Sequence, residues 1–231
     1  MGPLRRLIDT ATRSVAWWHR HRRLKPTREP VNVNVGSGLA VAPGWIHVDG
    51  SLNALVAGWP EPMLGFLHRF TDVKQWYSCS EYVRILSEHS FVHHRIEYGL
   101  PFSDASVDCL YSSHVLEHCY REDAQAVLVE AHRVLKFGGW IRVAVPDLSH
   151  AIELYRAGKK EQALAFFFVP SRDGSLDRHQ YMYDFELLRD LLKTAGFTDI
   201  SRRAFREGVV SDIQILDNRP EETLFVEARK R

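Results

Sequence analysis

Hydrophobic positions along the chain alternate between two periods. Segments with the length of strands occupy residues 31–35, 45–48, 93–96, 107–111, 140–145, 198–204 and 223–229, and the signal is weak at 93–96. Between them, apolar residues recur at helical spacing, most regularly over 122–135, and Asp184 is placed to cap a helix that runs to Ala195. Strands that alternate with helices predict a mostly parallel sheet with helices on both faces.

Two regions interrupt this alternation and are interpreted as insertions. Residues 52–90 contain prolines and several aromatic residues, and residues 149–183 contain a helix broken at Gly158, followed by a loop over 169–180. Ligands of such sheets bind beyond the carboxyl ends of the strands, so we expect both insertions to cover that edge on the acceptor side. We therefore divide the chain into an N-terminal helix within residues 1–30 and one domain over residues 31–231.

Residues 3–24 have the pattern of a basic amphipathic helix. Its predicted apolar stripe consists of Leu4, Leu7, Ile8, Ala11, Val15 and Trp18. Seven Arg and one Lys against two acidic residues give residues 1–30 a net charge of +6, although the whole chain carries +1. Packing on the body or on a second subunit of a homodimer is the preferred interpretation. Peripheral membrane contact through Trp17 and Trp18 and an organelle transit segment remain open.

A glycine turn and a carboxylate follow the first two predicted strands. The first strand runs into Gly36-Ser37-Gly38, and the second ends at Asp49. Glycine permits close backbone approach to a ligand, and a carboxylate at that place accepts hydrogen bonds from ribose hydroxyls. A dinucleotide would require a third glycine that opens a helix toward a pyrophosphate, but Val41 occupies that position and Pro43 leaves little room for a helix. The pattern therefore predicts a nucleoside ligand without a phosphate.

Three segments resemble class I S-adenosylmethionine-dependent methyltransferases. Residues 31–49 contain Val-Asn-Val-Gly-Ser-Gly and Pro-Gly-Trp-Ile-His-Val-Asp, and residues 99–118 begin Gly-Leu-Pro-Phe and end His-Val-Leu-Glu-His. Residues 130–139 are similar to the family's junction between a helix and the fifth strand. The combination is similar to the type 11 branch, which includes members found near polysaccharide biosynthesis.

The resemblance implies a Rossmann-like three-layer α/β sandwich whose seven-stranded sheet has an antiparallel last strand. It implies S-adenosylmethionine as cofactor, with the glycine turn at its methionine part, Asp49 on the ribose and residues 95–97 facing the adenine. The family often has Asp near position 95, and Arg95 stands there in this chain, so we expect backbone atoms near Ile96 to recognise the adenine. The remaining contacts, at the amino-acid end of the cofactor, are expected from Ser112 and Ser113.

His114, Glu117 and His118 follow the fourth predicted strand at a spacing that predicts one face of a helical turn. Some methyltransferases carry Glu-x-x-Glu-His at this place and bind Mg²⁺. Here His replaces the first Glu, and two imidazoles suit Zn²⁺, Mn²⁺ or Fe²⁺ better. The three residues are thus a candidate site for a divalent metal. The alternative is that Glu117 and His118 only support the local backbone. The spacing also occurs in inverted zinc proteases, but the adjoining nucleoside site argues against that class.

Methyl transfer to an alcohol requires a base that takes the hydroxyl proton, and histidine suits that role at neutral pH. The candidates at the carboxyl edge of the sheet are His114, Asp147 and His179. Both insertions are rich in aromatic residues, which suit a saccharide acceptor or form the insertions' own core. The predicted function is therefore O-methylation of a sugar or glycan precursor.

Two other functions remain open, namely methyl transfer to a lipid or quinone-like acceptor at a membrane surface, and a non-catalytic cofactor-binding module. The slightly acidic body disfavours a nucleic-acid partner. Three cysteines without C-x-x-C spacing indicate reduced thiols, and no apolar run approaches the roughly 18 residues that a membrane span needs. We therefore expect a cytoplasmic protein.

Overall fold

The strands form one seven-stranded sheet in a computed structural model that describes residues 3–168 and 178–231, with side chains from residue 8 onward. The strands are β1 (Asn32–Val35), β2 (Ile46–Asp49), β3 (Ser90–His93), β4 (Val107–Ser113), β5 (Leu135–Pro146), β6 (Thr198–Arg203) and β7 (Thr223–Arg229). Their order is β3-β2-β1-β4-β5-β7-β6, and β7 runs antiparallel to both of its neighbours. The predicted Rossmann-like sheet is therefore confirmed.

Helices cover both faces of the sheet in the described part of the chain. They are α1 (Pro3–Trp18), α2 (Leu52–Val56), α3 (Glu61–His68), α4 (Cys79–Glu88), α5 (Arg121–Val134), α6 (Leu148–Arg156), α7 (Lys160–Ala165), α8 (Phe185–Thr194) and α9 (Ile213–Leu216). The main core lies between the sheet and helices α5 and α8, whereas α9 packs against Trp45 and Tyr111 on the other face. As predicted, Asp184 caps α8, since its carboxylate accepts a hydrogen bond from the backbone N–H of Leu187 at 2.9 Å.

The parallel pairing of β1 with β4 determines where a ligand can bind. Val35, the last residue of β1, lies opposite Ser112. The glycine turn after β1 and the segment that starts at His114 after β4 therefore emerge side by side at the carboxyl edge of the sheet. This edge is the binding position expected for an open parallel sheet.

Two predicted strand boundaries are wrong. The third strand is Ser90–His93 and not residues 93–96, because Ile96–Tyr98 forms a short 3₁₀ helix after the strand has ended. The fifth strand starts at Leu135, directly after α5, and includes Gly138 and Gly139, which the sequence predicted as the stop of the helix. A Cβ at position 139 would lie 2.9 Å from the carbonyl oxygen of Asp108, so glycine is needed there for close backbone approach.

The predicted apolar stripe of the N-terminal helix is also partly wrong. Helix α1 does pack on the body, but through Thr12 and Ala16, which are buried. Val15 and Trp18 of the predicted stripe are exposed, and Trp18 keeps 78% of its surface. The contacting residues are thus small, and Val15 and Trp18 point outward. The side chains of Leu4 and Leu7 lie outside the described residues.

The 52–90 insertion forms α2, α3 and α4 around a core of its own that includes Leu64, Tyr82 and Leu86. The second insertion supplies α6 and α7, and most of its predicted loop over 169–180 lies outside the described residues. Within the described residues, no helix is long and apolar enough to cross a bilayer.

A buried ionic cluster fixes residues 204–217 to the sheet. Arg142 on β5 is fully buried and donates hydrogen bonds to the carboxylates of Asp217 and Glu227, which are also buried. The same guanidinium donates to the carbonyl oxygens of Ala204 and Glu207. Because the charges are paired and saturated with hydrogen bonds, this cluster can exist in the core.

Candidate active site

The glycine turn has the conformation that its sequence requires. Gly36 and Gly38 have φ values of +67° and +53°, in the left-handed region that favours glycine. A Cβ on Gly36 would lie 2.2 Å from a methyl carbon of Val115, so the turn and the segment after β4 are in direct contact. At Gly38 a Cβ would meet nothing within 4 Å, which leaves open space for a ligand at this second glycine.

Asp49 connects this turn to the end of β2. One carboxylate oxygen accepts a hydrogen bond from the backbone N–H of Gly38 at 2.8 Å, and the other accepts from Ser51 at 2.7 Å. Each oxygen retains a second lone pair, so the carboxylate can still accept hydrogen bonds from ribose hydroxyls. No helix follows the turn before α2 begins at Leu52. These residues therefore fit a nucleoside cofactor, and they lack the helix N-terminus that a pyrophosphate would use.

Residues 95–97 follow β3, next to the main chain at the end of β2. The residue before them, His94, donates its backbone N–H to the main-chain carbonyl oxygen of Asp49 at 3.0 Å. Arg95 forms a two-pronged ion pair with Glu97, at 3.0 and 3.2 Å, so the cation that replaces the family's Asp is neutralised locally. Ile96 is partly buried against the main core. An adenine contact through the backbone near Ile96 stays a prediction.

The two serines after β4 differ in direction. The side chain of Ser112 lines a small apolar cavity beneath α5, together with Leu110, Val127 and Ile141. Its hydroxyl is therefore turned into the core, and only its backbone can face the cofactor edge. Ser113 is the last residue of β4 and projects from the opposite face, because side chains alternate along a strand. A cofactor contact from Ser112 is therefore expected through its backbone, and it stays a prediction.

His114 is held in an unusual conformation by a carboxylate. Its φ value is +55°, a strained region for a residue with a Cβ that costs roughly 1–3 kcal/mol. Its Nδ1 lies 3.1 Å from Oε1 of Glu117, and its Nε2 lies 3.3 Å from the hydroxyl of Thr223. A carboxylate can only accept, so Nδ1 carries the hydrogen and Nε2 keeps its lone pair. This is the arrangement of a histidine prepared to act as a base.

The predicted metal triad is assembled differently from the sequence expectation. Residues Leu116–His118 form a 3₁₀ helix that begins after His114, so His114 does not share one helical face with His118. Instead, Glu117, His118 and His179 offer ligand atoms that all lie within 4.8 Å of one another. His114 lies outside this group, so the predicted set differs from the observed cluster in one member, with His179 in place of His114.

A pocket of about 750 Å³ opens beside His114. His114 and His179 both line it, as do residues of the second insertion and of the segment before β7, namely His150, Leu154, Lys159, Gln162, Phe166, Arg219 and Glu222. Burial lowers the pKa of His179, which favours its neutral imidazole. Two of the three predicted base candidates therefore face one cavity.

Asp147, the third candidate, has a structural role. One of its oxygens accepts a hydrogen bond from the backbone N–H of Ser149 and caps α6, and the other accepts from Arg202 at 2.8 Å. It lines a neighbouring cavity and not the pocket of His114. The prediction that Asp147 is the base is therefore disfavoured, because deprotonating a substrate would compete with both contacts.

Sequence reasoning missed several polar residues of the pocket. Thr223 approaches His114 only because β7 inserts between β5 and β6, a placement that no local pattern signals. Among the predicted acceptor aromatics, Phe166 lines the pocket, whereas Tyr183 is buried in the core and Trp76 is 81% exposed. Of these three aromatic residues, only Phe166 therefore lines the pocket, whereas Tyr183 packs in the core and Trp76 lies at the surface.

Comparison with known proteins identifies a domain and a fold that the chain resembles. Residues 62–143 match the family model Methyltransf_11, described as a methyltransferase domain. A SAM-dependent methyltransferase from Thermotoga maritima has 16% identity and a TM-score of 0.51, over 98% of this chain and 99% of that one. The apo form of the S-adenosylmethionine-dependent methyltransferase SibL has 17% identity and a TM-score of 0.50, over 97% of this chain and 55% of that one. A SAM-dependent methyltransferase from Archaeoglobus fulgidus has 17% identity and a TM-score of 0.47, over 98% and 94% of the two chains.

At these identities the solved structures establish a shared fold, and no curated protein sequence matches the chain. The sheet order is that of the class I methyltransferase fold, and residues 62–143 match a methyltransferase domain. The domain match indicates a methyltransferase, a class of enzyme for which S-adenosylmethionine is the methyl donor.

Proposed function

We propose that this enzyme methylates a hydroxyl group of a sugar or glycan precursor, with His114 as the general base. The observation that carries the proposal is that His114, whose Nδ1 is fixed by Glu117, lines the 750 Å³ pocket at the carboxyl edge of the sheet. The resemblance to members found near polysaccharide biosynthesis supports the acceptor class, as does the composition of the pocket.

The bound cofactor supplies an electrophilic methyl group on a sulfonium sulfur. The pocket would position the acceptor hydroxyl and exclude water, which provide most of the acceleration in a displacement of this kind. Nε2 of His114 would take the hydroxyl proton as the methyl group is transferred to the oxygen, and Glu117 would stabilise the imidazolium through Nδ1, at the 3.1 Å contact. The positive charge of the sulfonium would thus end on the imidazolium and the cofactor product would be neutral, so charge and protons would balance.

The walls of the pocket suit a polyhydroxylated acceptor. Phe166 and Leu154 provide an apolar surface for the carbon face of a ring, and Lys159, Gln162 and Glu222 provide charged and amide groups for its hydroxyls. Sites for small polar ligands combine these two features. A quinone-like acceptor would leave several of these polar groups without partners.

A methyl-transfer screen with labelled cofactor across sugars, lipids and RNA tests the acceptor class. With the best acceptor, His114→Gln should lower kcat by about 100-fold or more, because general-base catalysis contributes 10²–10⁴-fold. The dissociation constant of S-adenosylmethionine should change little. His21→Ala removes an exposed histidine and serves as the matched control. If His114→Gln and His21→Ala have equal turnover, His114 is not the base.

A second candidate function is supported by the outward face of α1. The exposed residues Val15, Trp17 and Trp18 lie among arginines, and the Arg20 guanidinium stacks on Trp17 at 3.9 Å. A basic face with exposed tryptophans is typical of helices that lie on anionic membranes. In that case the acceptor would be a lipid or a lipid-linked sugar.

Co-sedimentation with vesicles distinguishes the two candidates. The membrane function predicts binding to vesicles that contain phosphatidylserine and much weaker binding to pure phosphatidylcholine. Replacing both Trp17 and Trp18 by serine should abolish this binding, whereas Trp76→Ser, at another exposed tryptophan, should leave it intact. Equal binding by both variants would discard the membrane function of α1.

The binding of a divalent metal is proposed separately from the O-methyltransferase function, because the candidate metal ligands can bind an ion whether or not an acceptor is present.

A further inference from the structure

We propose that Glu117, His118 and His179 bind one first-row transition-metal dication at the wall of the acceptor pocket. Their ligand atoms lie within 4.8 Å of one another, although His179 is far from the other two in sequence. The site does not depend on which acceptor is methylated, because it is defined by its own donor atoms.

Glu117 contains an unsatisfied oxygen at this point. Its side chain has no exposed surface, and Oε1 accepts the hydrogen bond from Nδ1 of His114. Oε2 is buried and has no hydrogen-bond partner among the residues that the structure describes. Burying a carboxylate oxygen without a partner is costly, so this oxygen needs a donor or a cation. A metal ion between Glu117 and the two imidazoles would supply that cation.

Both histidines are oriented as metal ligands. Nδ1 of His118 lies 3.2 Å from the carbonyl oxygen of Arg178, and Nδ1 of His179 lies against the carbonyl oxygen of Phe166. A carbonyl can only accept, so each Nδ1 carries the hydrogen, and the lone pair is on Nε2. Histidines that bind metal through Nε2 commonly have their other nitrogen fixed by a backbone carbonyl in this way. Nε2 of His118 lies 3.9 Å from Oε1 of Glu117, so the free lone pair is on the side of the carboxylate.

Backbone hydrogen bonds hold the distant ligand in place. The N–H groups of Gln180 and Tyr181 both donate to the main-chain carbonyl oxygen of Glu117, at 2.6 and 3.2 Å. His179 is the neighbour of this anchor, and its ring lies 5.1 Å from that of His118. The three ligands are thus brought together before any ion binds, which reduces the entropy lost on binding.

The donor set determines which ion is favoured. Two imidazoles and one carboxylate are the ligands of zinc enzymes and of non-haem iron oxygenases, and Mg²⁺ and Ca²⁺ prefer oxygen donors. Three protein ligands leave at least one coordination position for water or a substrate oxygen. Because His179 also lines the pocket, that position is accessible from the acceptor side.

Metal binding is tested on the full-length enzyme without any acceptor. The protein is stripped with a chelator, and Zn²⁺ and Co²⁺ are titrated by calorimetry, with the Co²⁺ visible spectrum as a second readout. We expect one ion per chain, a rise in Tm on addition of metal, and no comparable response to Mg²⁺. His118→Ala and His179→Ala should each weaken binding by more than the roughly 10–100-fold that loss of a supporting hydrogen bond costs.

His150→Ala is the matched control, because His150 lines the same pocket but is outside the cluster. It should retain one ion with the affinity of the unmodified protein. The proposal is overturned if the unmodified protein binds neither Zn²⁺ nor Co²⁺, or if the two ligand variants bind as tightly as the control. Since no acceptor is present, failure here is distinct from failure of the O-methyltransferase proposal.

Discussion

Replacing Asp49 should separate cofactor affinity from fold stability. In Asp49→Ala the N–H groups of Gly38 and Ser51 lose charged acceptors at 2.8 and 2.7 Å, and the ribose hydroxyls lose theirs. Leaving such groups without partners costs about 1–3 kcal/mol of binding free energy. The dissociation constant of S-adenosylmethionine should therefore rise by about 5–150-fold.

Asp49→Asn sharpens this test. An amide has one acceptor oxygen and one NH₂ group, whereas Gly38 and Ser51 present donors to the two sides of the carboxylate. One backbone N–H must then face another donor, so we expect the near-isosteric Asn to weaken binding as Ala does. Asp49→Asn, although it preserves the shape of the side chain, should therefore weaken cofactor binding as much as Asp49→Ala does.

Isothermal titration calorimetry measures the dissociation constant of S-adenosylmethionine for both variants. The Tm of each variant is determined first, and the titrations are carried out well below it. Asp184→Ala is the control, because it removes the cap of α8 and about 1 kcal/mol of stability at a distance from the cofactor edge. It should leave the affinity unchanged. If Asp49→Ala binds the cofactor as tightly as Asp184→Ala, the role assigned to this carboxylate is refuted.

Two further predictions concern the core. Arg142→Met should lower the free energy of unfolding by about 3–5 kcal/mol in urea titrations, because it removes the buried cation from Asp217 and leaves Glu227 with Arg203 alone. Arg189→Met at an exposed ion pair should cost at most about 1 kcal/mol. Similar losses in the two variants would contradict the proposed importance of the cluster. Burial lowers the pKa of His47 and of His94 to about 4, so the unfolded state binds these protons first and stability should fall as the pH decreases from 6.5 toward 4. Urea titrations across this range measure the effect, and a free energy of unfolding that stays constant between pH 6.5 and 4 would contradict it.

Local chemistry made much of the fold predictable. Asp184 specified a helix start, and the glycine turn with Asp49 specified a nucleoside site, because each depends on residues close in sequence. The burial of α1 was not predictable in this way. Val15 and Trp18 of the predicted stripe face outward, and Thr12 and Ala16 make the contact because close packing on the body favours small side chains.

The same distinction applies to the active site. His114, Glu117 and His118 stand out in sequence because they follow one strand. The conformation of His114 after β4 and the arrival of His179 and Thr223 depend on tertiary structure, which spacing along the chain does not encode. The metal-ligand set predicted from sequence therefore differs in one member from the cluster in the structure, which contains His179 in place of His114.

The residues that flank His179 are attached to the segment after β4 largely through main-chain atoms. The carbonyl oxygen of Glu117 accepts from the N–H groups of residues 180 and 181, and the side chain of His118 donates to the carbonyl oxygen of Arg178. The two bonds to Glu117 use backbone atoms alone, so side-chain substitutions at these positions that keep the N–H groups leave that connection in place. In evolution or in engineering, the side chains around this anchor can therefore change while the backbone that positions His179 is retained.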